Sequence, residues 1–169
     1  MDDSSIYIRD ITPLDAEFVQ KWENDPEWNF RENATPYSIM DILQFIHELG
    51  DVRKAQQARW IICETETDRP LGAVDLTEID FAKKEASVGV LIAEKEDRRK
   101  GYAFQALELI EEKAKDLEID RLISTVFKSN SGSLDLFIKN CFVKIGETDV
   151  PYLSEATYIK AIIFEKWVK

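Results

Sequence analysis

VGVLIAEKEDRRKGYAFQALELIEEKAKDL, residues Val88 to Leu117, runs from an apolar strand through a short basic turn into a helix. Val88, Val90 and Ile92 alternate with Gly89 and Leu91 in a stretch too apolar for a sheet edge, which predicts a central strand covered on both faces. After the turn, Ala103, Ala106, Leu107, Ile110, Ala114 and Leu117 recur at helical spacing, and Glu108, Glu111, Glu112, Lys113, Lys115 and Asp116 fill the opposite face. The helix is therefore expected to pack on the sheet.

Between them stands Arg98-Arg99-Lys100-Gly101-Tyr102-Ala103. Gly101 lets backbone approach a ligand closely, and the first amides of a helix have no partner of their own. With the positive end of the helix dipole and three cations, these amides form a site for a pyrophosphate. Taken by itself, a glycine among cations equally describes a solvated bend.

Working outward, Asp120 to Lys128 reads as a strand parallel to the central one, reached by a right-handed crossover through the helix. Asn130 and Ser131 open a second helix carrying Leu134, Leu136, Phe137 and Ile138, and residues 141–169 hold two more strands, the last over Tyr158 to Val168. Upstream, RWIICETE, LGAVDLTEID and KEASVGVLIA form an antiparallel meander in which Gly72 marks a bulge or a close backbone approach. Asp75 and Glu78 lie on its middle strand, where an acid facing a cleft would bind an amine.

Further upstream, a strand ends near Asp10, and Thr12-Pro13 starts a helix that Asp25-Pro26 stops near Asn24. A loop spans Glu27 to Tyr37, and Ser38 caps a helix that ends at Gly50. His47, the only histidine, is read as a surface or partly packed residue of that helix.

The 169 residues suit one domain, 1–169, and 44% hydrophobic residues with six Gly and five Pro leave no long disordered tract. No run is long enough for a membrane span, and the start MDDSSIYIRD does not read as a signal peptide, so a cytoplasmic location is expected. Cys63 and Cys141 lack metal-ligand spacing and are expected to be buried free thiols, with no metal site. A formal charge of −11 disfavours nucleic acid and anionic membrane and favours a cationic partner.

Arg98, Gly101 and Ala103 match the pattern Gln/Arg, two residues, Gly, one residue, Gly/Ala. With the strand before it, the helix after it and SNSGSLDLFIKNCF downstream, residues 84–146 resemble the core of the GCN5-related N-acetyltransferase (GNAT) superfamily. Within it the chain looks most like the branch of ribosomal-protein N-terminal and spermidine acetyltransferases. The resemblance implies an α+β fold: a mixed sheet of about seven strands with about four helices in the order βααβββαβαββ.

It also implies acetyl-CoA as the donor, with the pantetheine arm pairing along the strand at Leu91 and Ile92 next to a bulge. The pyrophosphate would lie on Arg98, Arg99, Lys100, Gly101, Tyr102 and Ala103, and Asn130, Ser133 and Phe137 would border the arm. Trp28, Phe30, Arg31 and Glu32 would border the acceptor with Asp75 and Glu78, while Glu85 and Ser87 stand near the family's base position. Phe137 departs from the pattern, because many members carry there a tyrosine that protonates the leaving thiolate, and phenylalanine has no proton to give. Tyr102, Tyr152 and Tyr158 are candidate substitutes.

The function implied is transfer of an acetyl group to a primary amine, a small cationic one such as a polyamine. The alternatives are an N-terminal amine of a protein and an acyl-CoA-binding module with weak turnover. The strand Tyr158 to Trp167 would either pair across a homodimer or lie inside the sheet as a core strand.

Overall fold

The computed structural model describes residues 5–27, 35–152 and 157–168. Its sheet has seven strands in the order β1-β2-β3-β4-β5-β7-β6. These are β1 (Ile6–Asp10), β2 (Ala58–Glu64), β3 (Pro70–Asp80), β4 (Glu85–Ile92), β5 (Arg121–Phe127), β6 (Val143–Tyr152) and β7 (Thr157–Trp167). Every neighbouring pair is antiparallel except β4 with β5, where the crossover helix returns the chain in the same direction.

The helices are α1 (Ala16–Glu23), α2 (Ile39–Glu48), α3 (Val52–Ala55), α4 (Tyr102–Asp116) and α5 (Ser131–Lys139). A 3-10 turn over Pro13–Asp15 precedes α1. Asp15 ties that turn down: it accepts from the Thr12 amide at 2.8 Å and from both terminal nitrogens of Arg9 at 2.8 Å. Ser38 and Asp41 make a reciprocal capping box on α2. The sequence gives no sign of α3, since a single turn is too short to show a period.

Two cores lie on opposite faces of the sheet. On one, Trp60, Val74, Leu76, Val88, Leu122 and Phe164 meet Ala106, Leu107 and Ile110 of α4 and Phe137 of α5. On the other, Ile61, Cys63 and Ala73 meet Val19 and Trp22 of α1 and Ile42 and Ile46 of α2. β4 is central, as its composition predicts, but its second face is covered only at Leu91, and Gly89 is exposed.

Two points are decided here. Of the two readings of the last strand, the structure has the core one: β7 lies between β5 and β6, its backbone is paired on both sides, and the edge strands are β1 and β6. Cys63 is buried as expected, but Cys141 is exposed, because it is the residue that turns the chain out of α5 at φ 67°.

Candidate active site

The site begins where β4 and β5 separate. They pair at Glu85–Arg121, Ala86–Leu122 and Ser87–Ile123 and no further. β4 then continues along β3 to Ile92 while β5 follows β7 to Phe127, which opens a wedge. The Ala93 amide donates to the Leu71 carbonyl at 2.9 Å. Antiparallel alternation from that bond turns the Gly89 and Leu91 backbone toward β3 and the Val88, Val90 and Ile92 backbone toward β5; the Ser87–Ile123 pair uses the Val88 amide, so the amides of Val90 and Ile92 face the open side. The unpaired strand edge therefore begins beyond the Val88 amide and runs through Val90 to the Ile92 amide, and Leu91 is occupied on the β3 side. The expected bulge is not on β4, whose register is continuous from Ser87 to Ile92; it lies opposite, on β3 between Thr77 and Asp80, with Glu78 at φ 49°.

At the wide end of the wedge the turn enters α4. Arg99 at φ 62° and Gly101 at φ 83° bend the backbone so that α4 starts without a side-chain cap. The first amide of this segment bonded back to the helix is that of Gln105, which donates to the Gly101 carbonyl. Among the described residues, nothing accepts from the amides of Gly101, Tyr102, Ala103 and Phe104. This cluster of unpaired donors at a helix N-terminus is suited to a diphosphate.

The cations of the turn differ in what they do. Arg98 donates from Nε to the Ile92 carbonyl at 3.1 Å and from Nη2 to the Ala93 carbonyl at 3.2 Å, and its Nη1 pairs with Glu27 at 2.6 Å. It fixes the turn to the end of β4. Arg99 is exposed, and Lys100 lies 3.9 Å from Asp97. Asp97, 4% exposed, receives both terminal nitrogens of Arg69 at 2.8 Å, and these bonds hold its carboxyl below the usual carboxylate range despite burial. The Tyr102 hydroxyl donates to Glu64 at 3.4 Å, and burial followed by the Glu64 charge raises its pKa, which makes it a poor acid.

α5 approaches the wedge through Asn130, whose side chain caps the helix by accepting from the Ser133 amide at 3.1 Å. Phe137 sits in the core with its ring edge-on to Phe142 at 5.0 Å and stacked on Phe164 at 6.2 Å. Tyr158, 69% exposed, stands at the far end of β7.

The candidate acids separate by their partners. Glu85 pairs with Arg121 at 2.9 Å, and Arg121 also holds Glu165 at 2.6 Å. Asp75 is gripped by Arg59 at 2.7 Å, and Arg59 reaches Glu23 at 2.6 Å; burial keeps the Asp75 carboxyl above its ordinary value with Arg59 opposing. Glu78 is exposed and accepts from the Ser87 hydroxyl at 3.3 Å, and among the described residues no cation meets it. Glu78 and Ser87 thus come together at the apex of the wedge, beside exposed Gly89. Trp28, Phe30, Arg31 and Glu32 lie outside the described residues, as does the side chain of Tyr152.

The family profile described as acetyltransferase (GNAT) domain matches residues 5–143. The chain belongs to the GNAT family. It is an acetyl-CoA-dependent N-acetyltransferase domain. No curated protein sequence is detectably similar to it. Among solved structures, spermidine N-acetyltransferase from Vibrio cholerae in complex with CoA and spermine superposes with a TM-score of 0.84 at 18% identity, over 98% of this chain and 96% of that one. A dodecameric structure of the same enzyme gives 0.80 at 18% identity, over 98% and 95%. A domain from Methanocaldococcus jannaschii DSM 2661 gives 0.73 at 21% identity, over 98% and 99%. At these identities the likeness concerns the fold.

The residues of this GNAT domain fit acetyl-CoA, because the unpaired amides at Gly101 to Phe104 suit its diphosphate and the open edge of β4 suits its amide-bearing arm. Sequence reasoning missed Val90 as the open edge beside Ile92, although the same alternation that identified the strand also separates its two backbone sides. It also missed Arg69, which lies 28 residues from Asp97 and carries no local signal.

Proposed function

We propose that this GNAT domain acetylates a small cationic primary amine of the polyamine class, with Glu78 receiving the amine. The observation that carries this reading is the contrast among the acids around the wedge: Asp75, Glu85 and Asp97 each face an arginine, and among the described residues Glu78 faces only the Ser87 hydroxyl. A carboxylate that no cation meets among the described residues, at the open apex of an acetyl-transfer cleft, is the group available to an ammonium. The charge of −11 draws cations toward it, and the fold is shared with an enzyme solved with spermine bound.

Acetyl-CoA, when bound, supplies a thioester acyl group. The amides of residues 101–104 and the edge of β4 hold it along the wedge, and Asn130 borders the arm. Glu78, oriented by Ser87, holds the amine and takes the proton it loses, a role that Arg121 keeps Glu85 from filling.

The test is thiol release from acetyl-CoA with spermidine, spermine, putrescine and N-terminal peptides as acceptors. Polyamines are expected to be used, with Glu78→Gln raising the amine KM about tenfold or more and leaving the acetyl-CoA KM unchanged. Turnover of peptides but not polyamines would overturn the acceptor assignment. The buried Phe137 favours a second reading, a binding module, for which acetyl-CoA would bind without thiol release from any amine.

A further inference from the structure

Ser124 is a polar residue in an apolar place. On β5 the buried positions alternate as Leu122, Ser124 and Val126, and Ser124 is 5% exposed. It is the first residue of β5 beyond the last pair with β4, so it stands at the apex of the wedge on the face of α4 and α5, opposite the side that carries Ser87 and Glu78. Its partner across β7 is Phe164, on which the Phe137 ring stacks at 6.2 Å. No group among the described residues bonds its hydroxyl. Those residues hold no fully buried, unsatisfied side-chain oxygen, so Oγ keeps some access to the opening.

A polar group buried at this level ordinarily has a hydrogen-bond partner, and a hydroxyl held without one next to an opening is placed for a ligand atom. The chemistry of the wedge names that atom. When the amine lone pair forms the new C–N bond, the C–S bond breaks and its electron pair stays on sulfur, while the amine proton passes to Glu78. The face on which Ser124 stands is lined by buried Phe137, Phe164 and Val88, so a thiolate formed beside it would be shielded from water and a donor aimed at it would act in a low-dielectric setting where one hydrogen bond counts strongly.

We infer that the Ser124 hydroxyl donates a hydrogen bond to the departing sulfur of coenzyme A and is a catalytic residue of this domain. Serine keeps its proton, because its hydroxyl is a far weaker acid than a thiol. The sulfur leaves as thiolate and is protonated by solvent, so position 137 needs no acid. The inference rests on the donor lying in the β4–β5 wedge, as proposed above.

The experiment titrates the thiol of CoA bound to the protein, followed by thiolate absorbance in the ultraviolet, for wild type, Ser124→Ala and Ser124→Thr, with thermal unfolding reporting whether CoA is bound. Expected is a bound thiol about tenfold more ionised at a given pH in wild type than in Ser124→Ala, recovered in Ser124→Thr, which keeps the hydroxyl. Turnover of Ser124→Ala is expected to fall about ten- to a hundredfold at unchanged acetyl-CoA KM. If CoA raises the unfolding midpoint of both wild type and Ser124→Ala and their bound thiols titrate alike, the Ser124 role is overturned and the donor site stands. If CoA raises neither midpoint, the wedge site and the Ser124 role are overturned together.

Discussion

At the scale of single residues, the donor turn depends on a buried charge. Asp97 lies two residues before the turn's positive φ at Arg99, and its contact with Arg69 connects the turn to the β2–β3 hairpin. Replacing it with asparagine keeps the shape and removes the charge, leaving half-exposed Arg69 with a weaker acceptor, a loss of about 1–3 kcal/mol at most for a weakened hydrogen bond at a buried carboxyl position. Asp97→Asn is therefore expected to lower the unfolding midpoint and to raise the acetyl-CoA KM severalfold with the amine KM unchanged. The pH dependence has a definite sign. Arg69 lowers the folded pKa of Asp97, so its stabilisation is complete above the unfolded value, about pH 4, and is lost as pH falls through the folded value. Acid titration of stability below about pH 4 should be shallower in Asp97→Asn than in wild type. Equal slopes together with an unchanged acetyl-CoA KM would show that Asp97 does not set the turn.

At the scale of elements, β3 and β4 are held so close that one position excludes any side chain. A Cβ added to Gly72 would lie 1.8 Å from the Leu91 carbonyl oxygen and 2.8 Å from its carbon, both backbone atoms with no room to move. Gly72→Ala should cost about 3 kcal/mol, an overpacking penalty at the upper end of the usual range. For a chain of this size that is a fall of about 6–12 °C in the unfolding midpoint, and a fall below about 2 °C would mean the strands part easily. Gly72 also shows what the sequence reveals. A glycine inside an alternating strand announces a close approach or a bulge, and both occur here, with a register shift between Ile62 and Cys63 on the facing strand. Alternation likewise revealed β4, and cap residues revealed α2 and α5. What stayed hidden depends on pairing between distant segments. That Glu85 meets Arg121 follows from the parallel register of β4 on β5, and that Glu78 meets Ser87 follows from a bulge on β3. Neither register can be read from spacing, so the residues around the site could be named in advance but the base could not be chosen among them.

At the scale of the whole molecule, the proposed donor and acceptor carry opposite charge toward the same acidic chain. The net charge of −11 repels an anionic acetyl-CoA at long range, and on the proposed reading backbone amides with Arg99 and Lys100 would hold the donor at short range. Salt screens the long-range part, which extends beyond a Debye length of about 8 Å at 0.15 M, more than the contacts made within it. The two effects oppose each other, and the acetyl-CoA KM should change less than about twofold between about 20 and 300 mM salt. A polyamine is attracted at every distance and ends on the exposed Glu78, so its kcat/KM should fall several-fold over the same range. An uncharged primary amine should show no such fall. If polyamine kcat/KM is flat with salt while the acetyl-CoA KM rises steeply, the field of the chain does not guide the acceptor, the donor is held mainly by exposed cations, and both the cationic-acceptor reading and the amide cradle would have to be abandoned.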